Sequence, residues 1–174
     1  MKKLLALAVV ILGFTAVSFG QASAVSGAAT ASATILNPIS VAKSADLNFG
    51  NIVNISGGTV ELTTAGTRNH SAGVSLPAFI GTVSVAKFSV TGEAGTAYTV
   101  SLPGTVDLAN GTNHMTVGTF TQSAVTGTIG TLTGAAGTTT VQDILVGATL
   151  TVGAIQAPGV YTNNTTLKMT VNYN

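Results

Sequence analysis

Near its C-terminal end the chain alternates strictly. Leu167, Met169, Val171 and Tyr173 are separated by Lys168, Thr170 and Asn172, with Thr166 ahead of them. A period of two places one set on a buried face and the other in water, so this stretch predicts an amphipathic β-strand, drawn from Val160 to Tyr173. A strand at that end of the sequence is expected to belong to the core sheet.

The same period recurs along the chain. Ala33–Val41 is the first strand expected. Traced back to Ala29, its odd positions read Ala29, Ala31, Ala33, Ile35, Asn37, Ile39 and Val41. Pro38 lies within it and lacks an N–H, which confines the strand to an edge, a bulge or a switch between sheets. Leu47 and Phe49 share a face, and Val60 and Leu62 mark a short strand. Arg68–Ser71 reads as polar loop. Between Thr82 and Thr91 the apolar phase shifts from Val83 and Val85 to Phe88 and Val90, which predicts a bulge near Ala86 and Lys87. Tyr98–Leu102 alternates cleanly and stops at Pro103-Gly104. Asn110-Gly111 is a hairpin signal, since both residues tolerate positive φ. Strands are also expected at Thr138–Val141 and Val146–Val152, on either side of a gap. No stretch after residue 24 shows a sustained helical period. Strand candidates spaced by roughly 8–12 residues, with turn signals between them, are the pattern of an all-β sandwich.

The N-terminus changes the compartment. Met1-Lys2-Lys3, the apolar run from Leu4 to Val17 and Ala22-Ser23-Ala24 have the layout of a secretory signal peptide over residues 1–24, with Val25 as the first exported residue. The run is short for a membrane span, and no span is expected once it is removed. Residues 25–41 then form an N-terminal extension and first strand, and residues 42–174 the sandwich domain. The chain has no cysteine, so the exported domain is expected to hold together by packing and backbone ladders alone.

Only 6% of the residues are charged. After residue 24 the chain keeps Lys43, Arg68, Lys87 and Lys168 against Asp46, Glu61, Glu93, Asp107 and Asp143, four positive and five negative, a net charge of −1. No basic patch exists to neutralise phosphates, which argues against nucleic-acid binding. So little charge leaves little repulsion between copies, and suggests that much of the surface contacts copies of the same chain.

Candidate chemistry is sparse. His70 and His114 each follow an asparagine and read as solvated loop residues; neither belongs to a zinc-ligand spacing. The five carboxylates are single and read as turn or surface groups. No nucleophile elbow is present. There is no Trp, and most aromatics fall in phase with apolar strand faces. Phe79-Ile80 lies between strands and reads as a tucked-in loop rather than a contact patch. No catalytic residue, metal site or cofactor is expected.

Several segments together resemble the DUF4402 family of exported bacterial proteins: Ala33–Val41, Asp46–Ile52, Val90–Val100, Val146–Gly153, Ala157–Tyr161 and Val171–Asn174. More distantly, Leu47-Asn48-Phe49-Gly50 and the ending made of Gly159-Val160-Tyr161 and Val171-Asn172-Tyr173-Asn174 resemble pilins of the chaperone–usher type. That resemblance implies an immunoglobulin-like, pilin-like antiparallel β-sandwich lacking one strand, which the N-terminal extension of the next subunit donates. Many such pilins carry a cysteine pair near the first strand, and this chain has none.

The resulting expectation is an extracellular structural subunit on a bacterial surface, not an enzyme, polymerising with copies of itself. A periplasmic chaperone or outer-membrane assembly protein would assist. Ala31, Ala33, Ile35, Ile39 and Val41 would form the donor face, and Leu167, Met169, Val171 and Tyr173 the acceptor edge. The competing expectation is a monomeric adhesive or carbohydrate-binding sandwich at the cell surface.

Overall fold

The computed structural model describes residues 25–125, 127–163 and 167–174. The expected leader, residues 1–24, lies outside them. Residues 25–34 separate from the compact unit that begins at Ile35. They are exposed and form no strand.

The unit from Ile35 onward is all-β and antiparallel, a sandwich-like arrangement of two main sheets. The larger sheet is built on β13 (Thr139–Val152), a single 14-residue strand where two shorter ones were expected. One edge of β13 carries β8 (Ala86–Glu93) along Thr139–Val146 and then β4 (Gly58–Leu62) along Ala148–Val152. The other edge carries β11 (Asn113–Gln122), followed outward by β10 (Thr105–Asn110). β1 (Ser40–Ala45) flanks β8, and β5 (Arg68–His70) flanks β4. At the handover from β8 to β4 stands Gly147, where an added Cβ would lie 2.3 Å from the Leu62 carbonyl oxygen. Only a residue without a side chain lets the backbones approach this closely.

The smaller sheet runs β12 (Ile129–Thr131), β9 (Ala97–Ser101), β14 (Thr170–Tyr173). Two-stranded pairings complete the ladder: β2 (Asn48–Phe49) with β7 (Val83–Ser84), and β3 (Val53–Asn54) with β6 (Val74–Ser75).

The core has two parts. Phe88, Val90, Ile144 and Val146 of the larger sheet pack against Tyr98, Val100 and Val171 of the smaller one and against Met169, just ahead of β14. Val60, Leu62, Val117, Leu150 and Val152 pack with Phe49 and Val74 in the second cluster. Leu47, Phe120 and Leu167 border both. Burying each large apolar side chain contributes about 1.5–3 kcal/mol, and the alternation of β8 and β13 directs these residues to one face.

Several expectations need correction. The first strand begins at Ser40 and not at Ala33, so the boundary drawn at Val41 falls inside β1. The cause is local: Pro38 has no N–H to donate, and the Asn37 N–H is bonded to the Glu93 carboxylate instead of a ladder carbonyl. The last strand is four residues long rather than running from Val160; before the undescribed residues 164–166, Thr162 makes an isolated bridge to Ala109. The phase shift after Val83 is a break at Val85 between β7 and β8, which serve different partners. Arg68–His70 is an edge strand, and His114 lies in β11. The hairpin signalled by Asn110-Gly111 does form, with a two-residue loop of Gly111-Thr112, Asn110 and Asn113 paired across it and Gly111 at φ 60°.

Candidate functional site

The two sheets are unequal at one side. Among the described residues β1 is paired only with β8, and β14 only with β9. β1 and β14 approach each other there without pairing. Two strand edges thus flank one seam, each with backbone donors and acceptors on its outer side. Ile39 and Val41 from the β1 side, and Leu167 and Tyr173 from the β14 side, are half-buried against the first core cluster. The seam is therefore lined with apolar side chains.

Beyond Leu167 the interior opens into a cleft of about 1150 Å3. Its apolar lining includes Leu108, Met115, Val117, Phe120 and Val152 from β10, β11 and β13, together with Phe88 and Leu167. Segments 46–54 and 156–163 form its walls. The three-stranded sheet packs on the first half of β13, whereas the second half packs with Phe49 of β2 and Val74 of β6 from the short two-stranded pairings. The wall polar groups are largely committed: Asn51 Nδ2 donates to the Phe79 carbonyl, Asn54 Nδ2 to Gly153, and Gln156 Nε2 to the Tyr161 hydroxyl.

Where β8 ends, Glu93 is 4% exposed, the one buried charged side chain among the described residues. Its carboxylate accepts from the Gly137 N–H at 2.5 Å, the Asn37 N–H at 3.2 Å and Asn37 Nδ2 at 2.6 Å. These bonds, that from Gly137 foremost, hold the carboxyl below the usual carboxylate range against the opposing effect of burial. The Glu93 N–H donates to the Tyr173 hydroxyl at 2.6 Å, which donates to the Asn37 carbonyl at 2.8 Å. One network thus joins the segment before β1, the end of β8, the loop before β13 and β14.

The sequence-expected residues divide into three groups. Met169 and Val171 are buried and Leu167 and Tyr173 half-buried, all on the inward face, while Lys168, Thr170 and Asn172 are exposed. Ile39 and Val41 pack on their own core. Ala31, Ala33 and Ile35 are exposed, Ile35 at 96%. Phe79 is 74% exposed and so is not tucked in. Asn51 bonds the backbone at Phe79 and Ile80, which fixes the loop and leaves the ring outside at the cleft. The Asn37–Glu93–Tyr173 network was not anticipated. Glu93 sits in a Gly92-Glu93-Ala94-Gly95 stretch that reads as an ordinary turn; the scarcity of charge was the one available signal.

Three polar pairs lie on the outer faces. Lys43 meets Asp46, Lys87 meets Asp143 at 2.7 Å and His114 Nδ1 lies 2.6 Å from Asp107. The Lys87 ammonium and the Ser89 hydroxyl hold the Asp143 carboxyl below its ordinary range. His70 Nδ1 lies within hydrogen-bond distance of the neighbouring Ser71 carbonyl. Among the described residues, no three His, Asp or Glu side chains group as metal ligands. No described helix is long and apolar enough to cross a membrane.

The chain belongs to the family described as Domain of unknown function (DUF4402), whose model matches residues 39–173. No curated protein and no solved structure matches it. The family match begins one residue before β1, so residues 25–38 lie outside it.

Proposed function

We propose that this member of the DUF4402 family is a pilin-like structural subunit, exported to the bacterial surface, whose copies assemble into a fibre or layer by β-strand complementation. It is a building block rather than an enzyme and takes no cofactor. The observation that carries the reading is the seam between β1 and β14: two edges, unpaired among the described residues, that approach one another over apolar side chains. A strand from a second copy would pair with those edges and place alternate side chains against Leu167, Met169, Val171 and Tyr173.

The donor in this reading is the N-terminal extension. Residues 25–36 carry no charge and include Ala29, Ala31, Ala33 and Ile35 in one phase. They form no strand of their own and are exposed. Twelve residues span about 40 Å when extended, enough to run along β14 and into the cleft. Ile39 and Val41 already serve their own core, so the donated face narrows to residues before Asn37. A periplasmic chaperone or outer-membrane assembly protein would cover the seam until a second copy arrives.

The competing reading is a monomeric carbohydrate-binding module using the cleft. Its asparagines and Tyr161 give it a polar rim, but their donors are mostly spent on backbone and on each other, which disfavours sugar recognition. The discriminating experiment deletes residues 25–36 and leaves Asn37 and β1 intact. Size-exclusion chromatography and electron microscopy should show fibres from the longer chain and folded monomers from the shorter one. Undiminished polymerisation of the shorter chain would overturn the proposal.

A further inference from the structure

Asn37 is held at three points. Its N–H and its amide Nδ2 donate to Glu93, and its carbonyl accepts from Tyr173. Pro38 follows directly, with a fixed φ. Before Asn37 the chain is unrestrained by the core: Leu36 is 51% exposed and Ile35 96%. Asn37 is therefore the residue at which the extension departs from the sandwich. The side chain that grips its carbonyl comes from β14, the strand with the free edge. Gly92 makes room for it, since a Cβ there would lie 2.4 Å from the Tyr173 hydroxyl oxygen.

β14 is short and, among the described residues, laddered on one side only. Such an edge strand frays more readily than a central one. A second ladder on its free side would make it central and hold Tyr173 more firmly in place. We propose that Asn37, Glu93 and Tyr173 form a latch, through which a strand seated on the free edge of β14 restrains the base of the same molecule's extension. The proposal rests on the assembly reading above and adds regulation to it: a copy that has received a strand is the copy whose own extension is held ready for the next, which gives growth a direction.

The test uses the chain from Val25 onward, isolated as monomer, and a synthetic peptide of residues 25–36 as the probe. Amide hydrogen exchange is followed by NMR with and without the peptide. Protection of the β14 amides reports seating. With seating, exchange at Asn37 and Glu93 should slow by about fivefold, the factor that matches one neutral hydrogen bond. Tyr173→Phe should keep the β14 protection and lose the effect at Asn37. Glu93→Gln, which leaves Tyr173 in place, should weaken it and serves if Tyr173→Phe fails to fold. Seating without slower exchange at Asn37, or an unchanged response in the variants, overturns the latch alone. Failure of the peptide to protect β14 overturns the assembly reading and the latch with it.

Discussion

The Tyr173 hydroxyl donates to the Asn37 carbonyl at 2.8 Å, although 136 positions separate the two residues. The same oxygen accepts the Glu93 N–H. The last strand and the segment before the first are thus joined by a side chain whose ring is half-buried in the core.

Replacing Tyr173 by Phe keeps the ring and removes the hydroxyl. The Glu93 N–H and the Asn37 carbonyl are then left without this partner. The expected loss is about 2 kcal/mol of stability, within the range for buried groups deprived of a hydrogen bond. Urea unfolding measures it. A loss below about 0.5 kcal/mol would place the bond among surface contacts of no energetic consequence.

Val171 faces the core and Thr170 faces away. Val171→Asp should cost several kcal/mol, because a charge would enter an apolar cluster with no partner. Thr170→Asp should stay within about 0.5 kcal/mol of the parent. Equal shifts in melting temperature would contradict the facing of β14.

Glu93 links stability to pH. Its folded carboxyl titrates below the ordinary value of 4.5, so the charged form is favoured in the folded state. The stabilisation is therefore present at neutral pH, above the unfolded value, and is lost as pH falls through the folded value. Glu93→Gln should be less stable than the parent at pH 7, and the gap should narrow on acidification below 4.5. Parallel stability curves for the two proteins would refute the assignment.

Gly147 and Gly104 offer a paired comparison. An added methyl at Gly147 meets the backbone of Leu62 and Thr63, whereas at Gly104 it meets nothing within 4 Å. Gly147→Ala should cost about 1–3 kcal/mol through the displacement of β4 from β13, and Gly104→Ala little. Calorimetry on both variants decides it.

Much of the fold was legible because it follows from local rules. Alternation placed Leu167, Met169, Val171 and Tyr173 on one face. It also identified Tyr98 and Val100 as inward residues of a strand. The chemistry-bearing features behaved differently. Glu93 carries no pattern, and its partners Asn37, Gly137 and Tyr173 come from distant segments. Ala29 to Ile35 alternates as a strand does, yet has none of its own, because Pro38 and the Asn37–Glu93 bond end the ladder above Ser40.

By itself, then, the sequence determined the class of structure, all-β and antiparallel, and the inward set of its last strand. A period of two depends only on neighbouring residues and survives any arrangement of partners. Strand limits, the merging of two expected strands into β13 and the free edges of β1 and β14 were decided by tertiary structure. Which strand pairs with which depends on closing loops between remote segments and on where proline or glycine interrupts the ladder. The seam and the Asn37–Glu93–Tyr173 network are products of that pairing.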